Sequence, residues 1–267
     1  MLRSIRGLVG LLASLALVAA IAAPVAAADM AYVRVVHASP DAPNVDVWVD
    51  GGKVLSDVPY TAVSDYLELA AGTYNVQVVE TGTTSPAFID ADLTFDAGTG
   101  YTIAATGKVA DSTFGPVVLS NDDLAPVSGK AKLRVFHAST AAPASVDIAL
   151  APGGDVLIPG LAFNTATDYL ELDPATYDLE IRAAGDSAAA LTISPTLEAD
   201  TNYTAIAMDG GEAGVQVIYA VDAAGIPDTA LAQGGSSIGL IGAALLALAA
   251  GLVAIRGLRR RVSVEES

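Results

Sequence analysis

The chain has 267 residues, 52% of them hydrophobic, and it carries a formal net charge of −17 and no cysteine. The lack of cysteine excludes disulfide bonds and thiolate metal sites. Six of the thirteen basic and two of the thirty acidic residues lie near the termini, so residues 29–235 carry seven basic and 28 acidic side chains, a net charge of −21. Such a surface repels phosphate backbones, which excludes nucleic acid as an expected partner.

The first 28 residues have the layout of a secretory signal peptide. A basic start precedes the uncharged apolar run 7–21, and Pro24 then leads into an A-x-A pattern formed by Ala26 and Ala28. This order of charge, apolar core and small residues predicts export with cleavage after Ala28. An uncleaved membrane anchor is the alternative, and the short apolar run and the proline argue against it.

The middle of the chain is a duplication. Residues 34–47 begin Arg-Val-Val-His-Ala-Ser, and residues 134–148 begin Arg-Val-Phe-His-Ala-Ser. The motif Asp-Tyr-Leu-Glu-Leu at 65–69 recurs at 168–172, and the offset between the copies drifts only from 100 to 103. The repeat predicts two domains, 29–121 and 131–221, joined by a linker over 122–130.

Each copy is predicted to be built from short strands. Val45, Val47 and Val49 share one face of a strand that runs into Asp50-Gly51, a hairpin signal. Helical spacing is not sustained anywhere between the two ends. Seven or eight strands per copy predict two tandem immunoglobulin-like antiparallel β-sandwich domains, each burying its own core, with a small barrel as the alternative.

A histidine and a serine recur at the end of the first strand of each copy. They are His37 and Ser39, with Asp46 nearby, and the second copy repeats them as His137, Ser139 and Asp147. Residues two apart on a strand point to the same side, so a hydrolase triad is conceivable. No nucleophile-elbow motif accompanies either serine. The favoured interpretation is structural, with the imidazole and hydroxyl satisfying backbone groups where the strand meets the next loop.

Trp48 and the aspartates are the remaining candidates in the first copy. Trp48 is the only tryptophan, and Ala149 is its counterpart in the second copy. It lies on the opposite strand face from its valine neighbours and either packs there or contacts a sugar or protein. Acidic residues that could bind calcium lack calcium-loop spacing, so turn formation is favoured for them: Asp41, Asp46, Asp50, Asp90, Asp92 and Asp96.

The C-terminal region has the sequence features of a membrane anchor. A stalk over 222–236 precedes an apolar span over 237–255, and the basic tail 256–267 carries four arginines. A span of about 20 apolar residues crosses a bilayer, and the positive-inside rule places the tail in the cytoplasm and the two domains outside.

The stalk contains Ile226-Pro227-Asp228-Thr229-Ala230. It resembles the Leu-Pro-x-Thr-Gly cell-wall sorting signal of Gram-positive bacteria, with Ile226 in place of leucine and Ala230 in place of glycine. That resemblance implies a sortase as partner, with Thr229 as the acyl donor and Pro227 setting an extended approach. The alternative is a permanent membrane anchor behind a proline-containing stalk.

The repeated motifs are similar to those of a known family. Arg-Val-x-His-Ala-Ser, Val-Asp-Val/Ile, Tyr-Leu-x-Leu and Gly/Ala-Thr-Tyr resemble domain-of-unknown-function family 4397, found in secreted and surface proteins of bacteria and archaea. The resemblance covers residues 31–120 and 131–221 and implies a β-sandwich and a surface location, without a settled activity.

These features together predict a non-enzymatic cell-surface module that presents two β domains for adhesion or envelope interaction. Its expected partners are the membrane, an envelope glycan or surface protein, and a sortase if the sorting signal is used; no cofactor is expected. The alternatives are a structural envelope spacer without a ligand and, remotely, a hydrolase that uses His37, Ser39 and Asp46.

Overall fold

The computed structural model describes residues 30–121 and 125–222. Every regular element in these two ranges is a β-strand, which confirms the all-β class. The first copy contains β1 Met30–His37, β2 Val45–Val49, β3 Gly52–Val58, β4 Leu67–Ala70, β5 Gly72–Glu80, β6 Ala87–Phe95, β7 Gly100–Thr106 and β8 Gly115–Asn121. The second contains β9 Ala131–His137, β10 Ser145–Leu150, β11 Val156–Ala162, β12 Leu170–Leu172, β13 Ala175–Thr176, β14 Leu179–Ala183, β15 Ala189–Ile193, β16 Thr196–Leu197, β17 Thr201–Asp209 and β18 Val215–Val221.

The two halves are similar, as the repeat predicts. Each has an inner sheet, ordered β4-β1-β7-β8 in the first copy and β12-β9-β17-β18 in the second. Each also has an outer sheet, ordered β3-β2-β5-β6 and β11-β10-β14-β15, and the second copy adds the short ladder β13-β16. Side chains from the inner and outer sheet of each copy form a common apolar cluster.

Local sequence explains the hairpin between β2 and β3. Asp50 and Gly51 both have positive φ, at 47° and 76°, and Val49 pairs with Gly52 directly across the turn. Two successive positive φ angles match the right-handed twist of the flanking strands and favour Asp-Gly. The predicted hairpin signal is confirmed.

The prediction of purely antiparallel sheets is wrong at one strand pair in each copy. β1 runs parallel to β7, and β9 runs parallel to β17, while the other pairs are antiparallel. The alternation of apolar and polar side chains along a strand does not show in which direction its neighbour runs. In each copy, all strands of the outer sheet lie in the sequence between the two strands that pair in parallel. A connection of that length can reverse the chain and so permits parallel pairing.

A third apolar cluster joins the two copies. It combines residues of both inner sheets, with Val36, Ala104 and Leu119 from the first copy and Phe136 and Ile206 from the second. The central strands of the inner sheets, β1, β7, β9 and β17, are consequently buried on both faces, and β7 and β9 are buried at every position. The sheets stack in the order outer, inner, inner, outer, which couples two copies that the repeat alone presents as separate units.

Several predicted segments lie outside the described residues. They are the signal peptide 1–28, part of the linker 122–130, nearly all of the stalk 222–236, the apolar span 237–255 and the basic tail 256–267. Among residues 30–121 and 125–222, no helix has the length and apolar character that a membrane crossing needs.

Candidate functional site

His37 lies at the end of β1 and is fully buried. Its Nε2 lies 3.0 Å from the carbonyl oxygen of Pro43, and its Nδ1 accepts the Ser39 backbone N–H at 3.4 Å. A carbonyl can only accept, so Nε2 carries the proton. Burial lowers the pKa of His37, and the hydrogen bond to Pro43 opposes that shift. The neutral ring therefore ties the strand end to the following loop.

His137 takes the same place at the end of β9. Its Nε2 lies 2.9 Å from the Pro143 carbonyl oxygen, and the ring packs edge-on against Phe163. Burial again lowers its pKa, while the Pro143 bond and the nearby carboxylate of Asp209 act in the opposite direction. Both histidines thus fasten the loop that follows the first strand of their copy.

Ser39 belongs to a carboxylate clamp that closes one end of the first copy. Its hydroxyl donates to Asp41 at 3.3 Å, and Asp41 also accepts the backbone N–H groups of Val109 and Ala110 at 2.9 and 3.0 Å. Loss of solvent acts to raise the pKa of Asp41, but these hydrogen bonds outweigh it and lower the pKa. The clamp joins the loop after β1 to the turn between β7 and β8.

The second copy has an equivalent clamp, but its carboxylate lies on a strand and its donors lie on the loop. Asp209, at the end of β17, accepts the hydroxyls of Ser139 and Thr140 at 2.6 and 2.5 Å and the Ala141 N–H at 2.8 Å. Burial acts to raise the pKa of Asp209, and the three donors reverse that effect and lower it. The carboxylate sits on the strand here, whereas in the first copy it sits on the loop.

Sequence reasoning missed Asp209, although the repeat contained a signal for it. The second copy has Ala141 where the first has Asp41, and alignment of β17 with β7 makes Asp209 the counterpart of Gly107. One carboxylate is lost and another gained at the same end of the domain. Such a reciprocal exchange between copies indicates a shared hydrogen-bonding requirement.

The three members of the hypothetical hydrolase set do not form a relay. Asp46 is buried, and its carboxylate accepts Lys53 Nζ at 2.5 Å and the N–H groups of Asp57 and Gly82 at 2.9 and 3.1 Å. These contacts, led by that with Lys53, lower the pKa of Asp46 to about 2. None of its hydrogen-bond partners is His37, although both residues are described.

Asp147 occupies the corresponding place in the second copy. It accepts the N–H groups of Gly160 and Gly185 at 2.7 and 2.8 Å, and these bonds lower its pKa. Both aspartates therefore hold backbone turns of the outer sheet.

Trp48 lies on the outer face of the outer sheet and is partly exposed. It pairs with Lys53 on one side and Gln77 on the other. The Lys53 ammonium lies 5.2 Å from the centre of the indole ring, and the indole N–H has no hydrogen-bond partner among the described residues. One part of the aromatic surface packs against the lysine, the indole nitrogen is buried, and only part of the ring is accessible to solvent.

A ladder of polar side chains continues this face across β5 and β6. Asn75 donates to Asp90 at 2.8 Å and to Asp92 at 3.1 Å, and Gln77 donates to Asp90 at 3.1 Å. Asp90 and Asp92 are exposed. We call Trp48, Asn75, Gln77, Asp90 and Asp92 together the Trp48 face.

The outer face of the second copy has different chemistry. Ala149, the counterpart of Trp48, is fully buried and pairs with Glu180. Glu180 accepts both Nε and Nη2 of Arg182, at 2.9 and 2.7 Å, and this ion pair is largely buried. The buried ion pair between Glu180 and Arg182 therefore lies beside the position that corresponds to Trp48 in the first copy.

The acids considered as calcium ligands accept hydrogen bonds from protein groups. Asp50 accepts the Asn75 N–H at 2.9 Å, and Asp96 lies 3.3 Å from the Tyr101 hydroxyl that donates to it. In residues 30–121 and 125–222 no group of three or more His, Asp or Glu side chains is placed to hold a metal ion.

The predicted sorting signal, Ile226, Pro227, Thr229 and Ala230, lies outside the described residues.

The family comparison matches both halves. The model of the family described as "Domain of unknown function (DUF4397)" matches residues 31–149 and 144–233. The first match extends beyond β8 into β10 of the second copy. No curated protein matches the chain.

Three solved structures resemble parts of the chain. The C-terminal domain of AlgF from P. aeruginosa is 14% identical, and the match covers 35% of this chain and 99% of that one, with a TM-score of 0.26. CBMbc, a family CBM26 module of Eubacterium rectale Amy13K in complex with maltoheptaose, is 9% identical over 71% and 96%, with a TM-score of 0.25. A putative cell adhesion protein of Bacteroides fragilis is 10% identical over 71% and 97%, with a TM-score of 0.19. At these scores the likenesses carry no argument about function.

Proposed function

The chain belongs to the DUF4397 family, whose domain it carries in two tandem copies, and from this premise we propose that it is a non-enzymatic cell-surface module for adhesion or envelope interaction. We assign each copy an immunoglobulin-like sandwich as part of this proposal. The first copy provides the contact surface. Its ligand is a glycan of the envelope or of a neighbouring surface.

The Trp48 face is the observation that carries this proposal. It combines a partly exposed indole with the amides of Asn75 and Gln77 and the exposed carboxylates of Asp90 and Asp92. A sugar ring offers C–H groups that stack on an aromatic surface and hydroxyls that bond to amides and carboxylates. The strong negative charge of the chain disfavours anionic polymers, so a neutral glycan fits better.

A structural spacer is the second candidate. The cluster shared by the two inner sheets supports it, because a stiff four-layer stack would hold other surface components at a fixed distance without binding them. The two functions differ in one observable, since only the first requires the Trp48 face to bind anything.

Glycan-array binding by the full chain separates these candidates. We expect a neutral glycan to bind the wild type and Gln77→Ala to weaken that binding at least about tenfold, because a donor to the ligand is lost. The matched control is Ser194→Ala, which alters an exposed hydroxyl directly after strand β15 of the second copy. Absence of any glycan binding would favour the spacer. Ester hydrolysis that His37→Ala abolishes would contradict the non-enzymatic assignment.

The proposed location is the outside of the cell, with the chain exported, cut after Ala28 and held by the span 237–255. N-terminal sequencing tests the cleavage. We further propose a permanent anchor, so that detergent releases both the wild type and Thr229→Ala. Wild-type protein that resists detergent in the wall fraction, with the variant extracted, would show that a sortase joins Thr229 to the envelope.

A further inference from the structure

Two arginines with matching positions are buried between the inner sheets. Arg34 on β1 is 2% exposed, and Arg134 on β9 is 3% exposed. Both come from the repeated Arg-Val-x-His-Ala-Ser motif. A buried guanidinium is costly unless its donors are satisfied, so these two residues must have compensating contacts.

Each arginine is positioned by its own copy. Arg34 Nε donates to Thr102 Oγ1 at 2.9 Å, and its guanidinium lies 5.0 Å from the centre of the Tyr66 ring. In the second copy, Arg134 Nε donates to Thr204 Oγ1 at 3.1 Å, and the guanidinium again lies 5.0 Å from an aromatic centre, that of Tyr169. In each copy the tyrosine of the Tyr-Leu-x-Leu motif and a threonine of the neighbouring parallel strand, β7 or β17, therefore contact the arginine.

Each arginine then reaches into the other copy. Arg34 Nη1 donates to the Val221 carbonyl at 3.1 Å, and Arg134 Nη1 donates to the Ser120 carbonyl at 3.1 Å. Ser120 pairs with Tyr101, and Val221 pairs with Tyr203, so the two carbonyls occupy the same register position on the last strand of their copies. The exchange is reciprocal, as a two-fold relationship between like surfaces requires.

One ion pair adds to this symmetric arrangement. Arg34 Nη2 donates to Asp222, whose side chain is completely buried. Asp222 also accepts the hydroxyls of Tyr169 and Thr204, at 2.7 and 2.6 Å. The carboxylate is thus satisfied by both copies at once, since one donor comes from the first and two come from the second.

Apolar side chains surround the polar contacts. Val36 and Phe136 occupy equivalent positions two residues after the arginines, and both have no exposed surface. Tyr60 adds a further crossing hydrogen bond, from its hydroxyl to the Asp209 carbonyl at 2.7 Å. The surface has the apolar centre and anchoring arginines found in stable protein–protein interfaces.

We propose that this inner-sheet face is a self-recognition surface whose partner is a second copy of the same domain, and that the pairing does not depend on the peptide connection between the copies. Arg34 with Tyr66 and Thr102, and their counterparts in the second copy, form the recognition element. The consequence is that domains on separate chains can pair through the same face, which would let neighbouring surface molecules associate. This inference is independent of the glycan proposed above.

Cleavage of the full chain tests the proposal without a substitution. A protease site is inserted between Ala125 and Pro126, where Ala125 is exposed, and the chain carries one tag after residue 29 and another at the C-terminus. After complete cleavage in mild detergent and without glycan, we expect capture of the N-terminal part to retain the C-terminal part. Two cleaved populations with different tags should also exchange partners after mixing. Separation of the parts on cleavage would overturn the proposal.

Arginine variants show which contacts hold the parts together. The double variant Arg34→Met and Arg134→Met keeps the length of the side chains but removes the crossing hydrogen bonds, and we expect the retained fraction to fall at least about tenfold. Arg182→Met is the matched control because it removes a buried arginine that pairs within its own outer sheet. Equal retention in the double variant and the wild type would exclude the arginines as the recognition element, and equal loss in the control would reduce them to a structural role.

Discussion

The two copies are most alike on their inner faces and most different on their outer faces. Arg34 and Arg134 have the same partners within their own copies and the same kind of partner across the interface. In contrast, the position that holds a partly exposed Trp48 in the first copy holds a buried Ala149 in the second. The inner faces contact each other and share their contacts, whereas the outer faces do not contact each other and differ.

The carboxylate clamps of the two copies differ in which element supplies the carboxylate. Asp41 closes the end of the first copy from the loop, and Asp209 closes the end of the second from the strand. The repeat keeps the hydrogen-bonding requirement and not the position of the carboxylate. A residue that differs between copies can therefore still have the same role.

The largest effect is expected from breaking the interface at Asp222. Asp222→Ala leaves Arg34 buried without its counter-ion and removes the acceptor of Tyr169 and Thr204. We expect a loss of about 3–5 kcal/mol in the free energy of unfolding, measured with urea. Asp173→Ala is the control, because its ion pair with Lys130 is exposed to solvent and should contribute little to stability. Similar losses in both variants would contradict the importance of the interface.

A smaller effect is expected at the clamps. Asp209→Ala leaves two hydroxyls and one backbone N–H without their acceptor and should cost about 1–3 kcal/mol in urea unfolding. Asp41→Ala should cost less, because Asp41 is exposed and water can replace its bonds.

A clamp transplant sharpens this comparison. Asp209→Gly combined with Ala141→Asp gives the second copy the arrangement of the first, and we expect it to recover part of the stability that Asp209→Gly alone loses. A double variant no more stable than the single one would show that the clamps are not equivalent.

The smallest effect is expected from pH. Burial lowers the pKa of His37 and His137 in the folded chain, whereas an unfolded histidine titrates near 6.5. The unfolded state then binds more protons, so stability is lost as the pH falls below about 6.5 towards the folded pKa. Thermal unfolding between pH 7.5 and about 5 isolates this effect, because the depressed pKa values of Asp41 and Asp209 lie below that window.

A glutamine variant tests the assignment to His37. His37→Gln keeps a donor for the Pro43 carbonyl but does not titrate, so the melting temperature should depend less on pH than in the wild type. The same substitution at His137 should have a weaker effect on the pH dependence, since Asp209 already opposes the shift there. An unchanged pH dependence in both variants would contradict the account.

The sequence predicted the all-β class and the Asp50-Gly51 turn because each leaves a local pattern, and it predicted the duplication because the motifs recur at a nearly constant offset. It did not predict the inner interface. Arg34 alternates with valines, and a charged residue in such a pattern normally faces water. Its burial depends on a second sheet 100 residues away in the chain, and alternation carries no information about that partner. The parallel pairing of β1 with β7 could not be predicted for the same reason, because alternation does not identify a distant partner strand or its direction.

Trp48 offers the most direct test of the central claim, that the two copies form one cooperative unit. As the only tryptophan, it reports the unfolding of the first copy alone by fluorescence. The destabilising change is made in the core of the second copy, as Ile181→Ala, away from the shared cluster. Urea unfolding of the full chain is followed by Trp48 fluorescence and by far-ultraviolet circular dichroism. We expect both signals to move together to a lower midpoint. A Trp48 transition that stays at the wild-type midpoint while the circular dichroism becomes biphasic would show that the copies unfold independently.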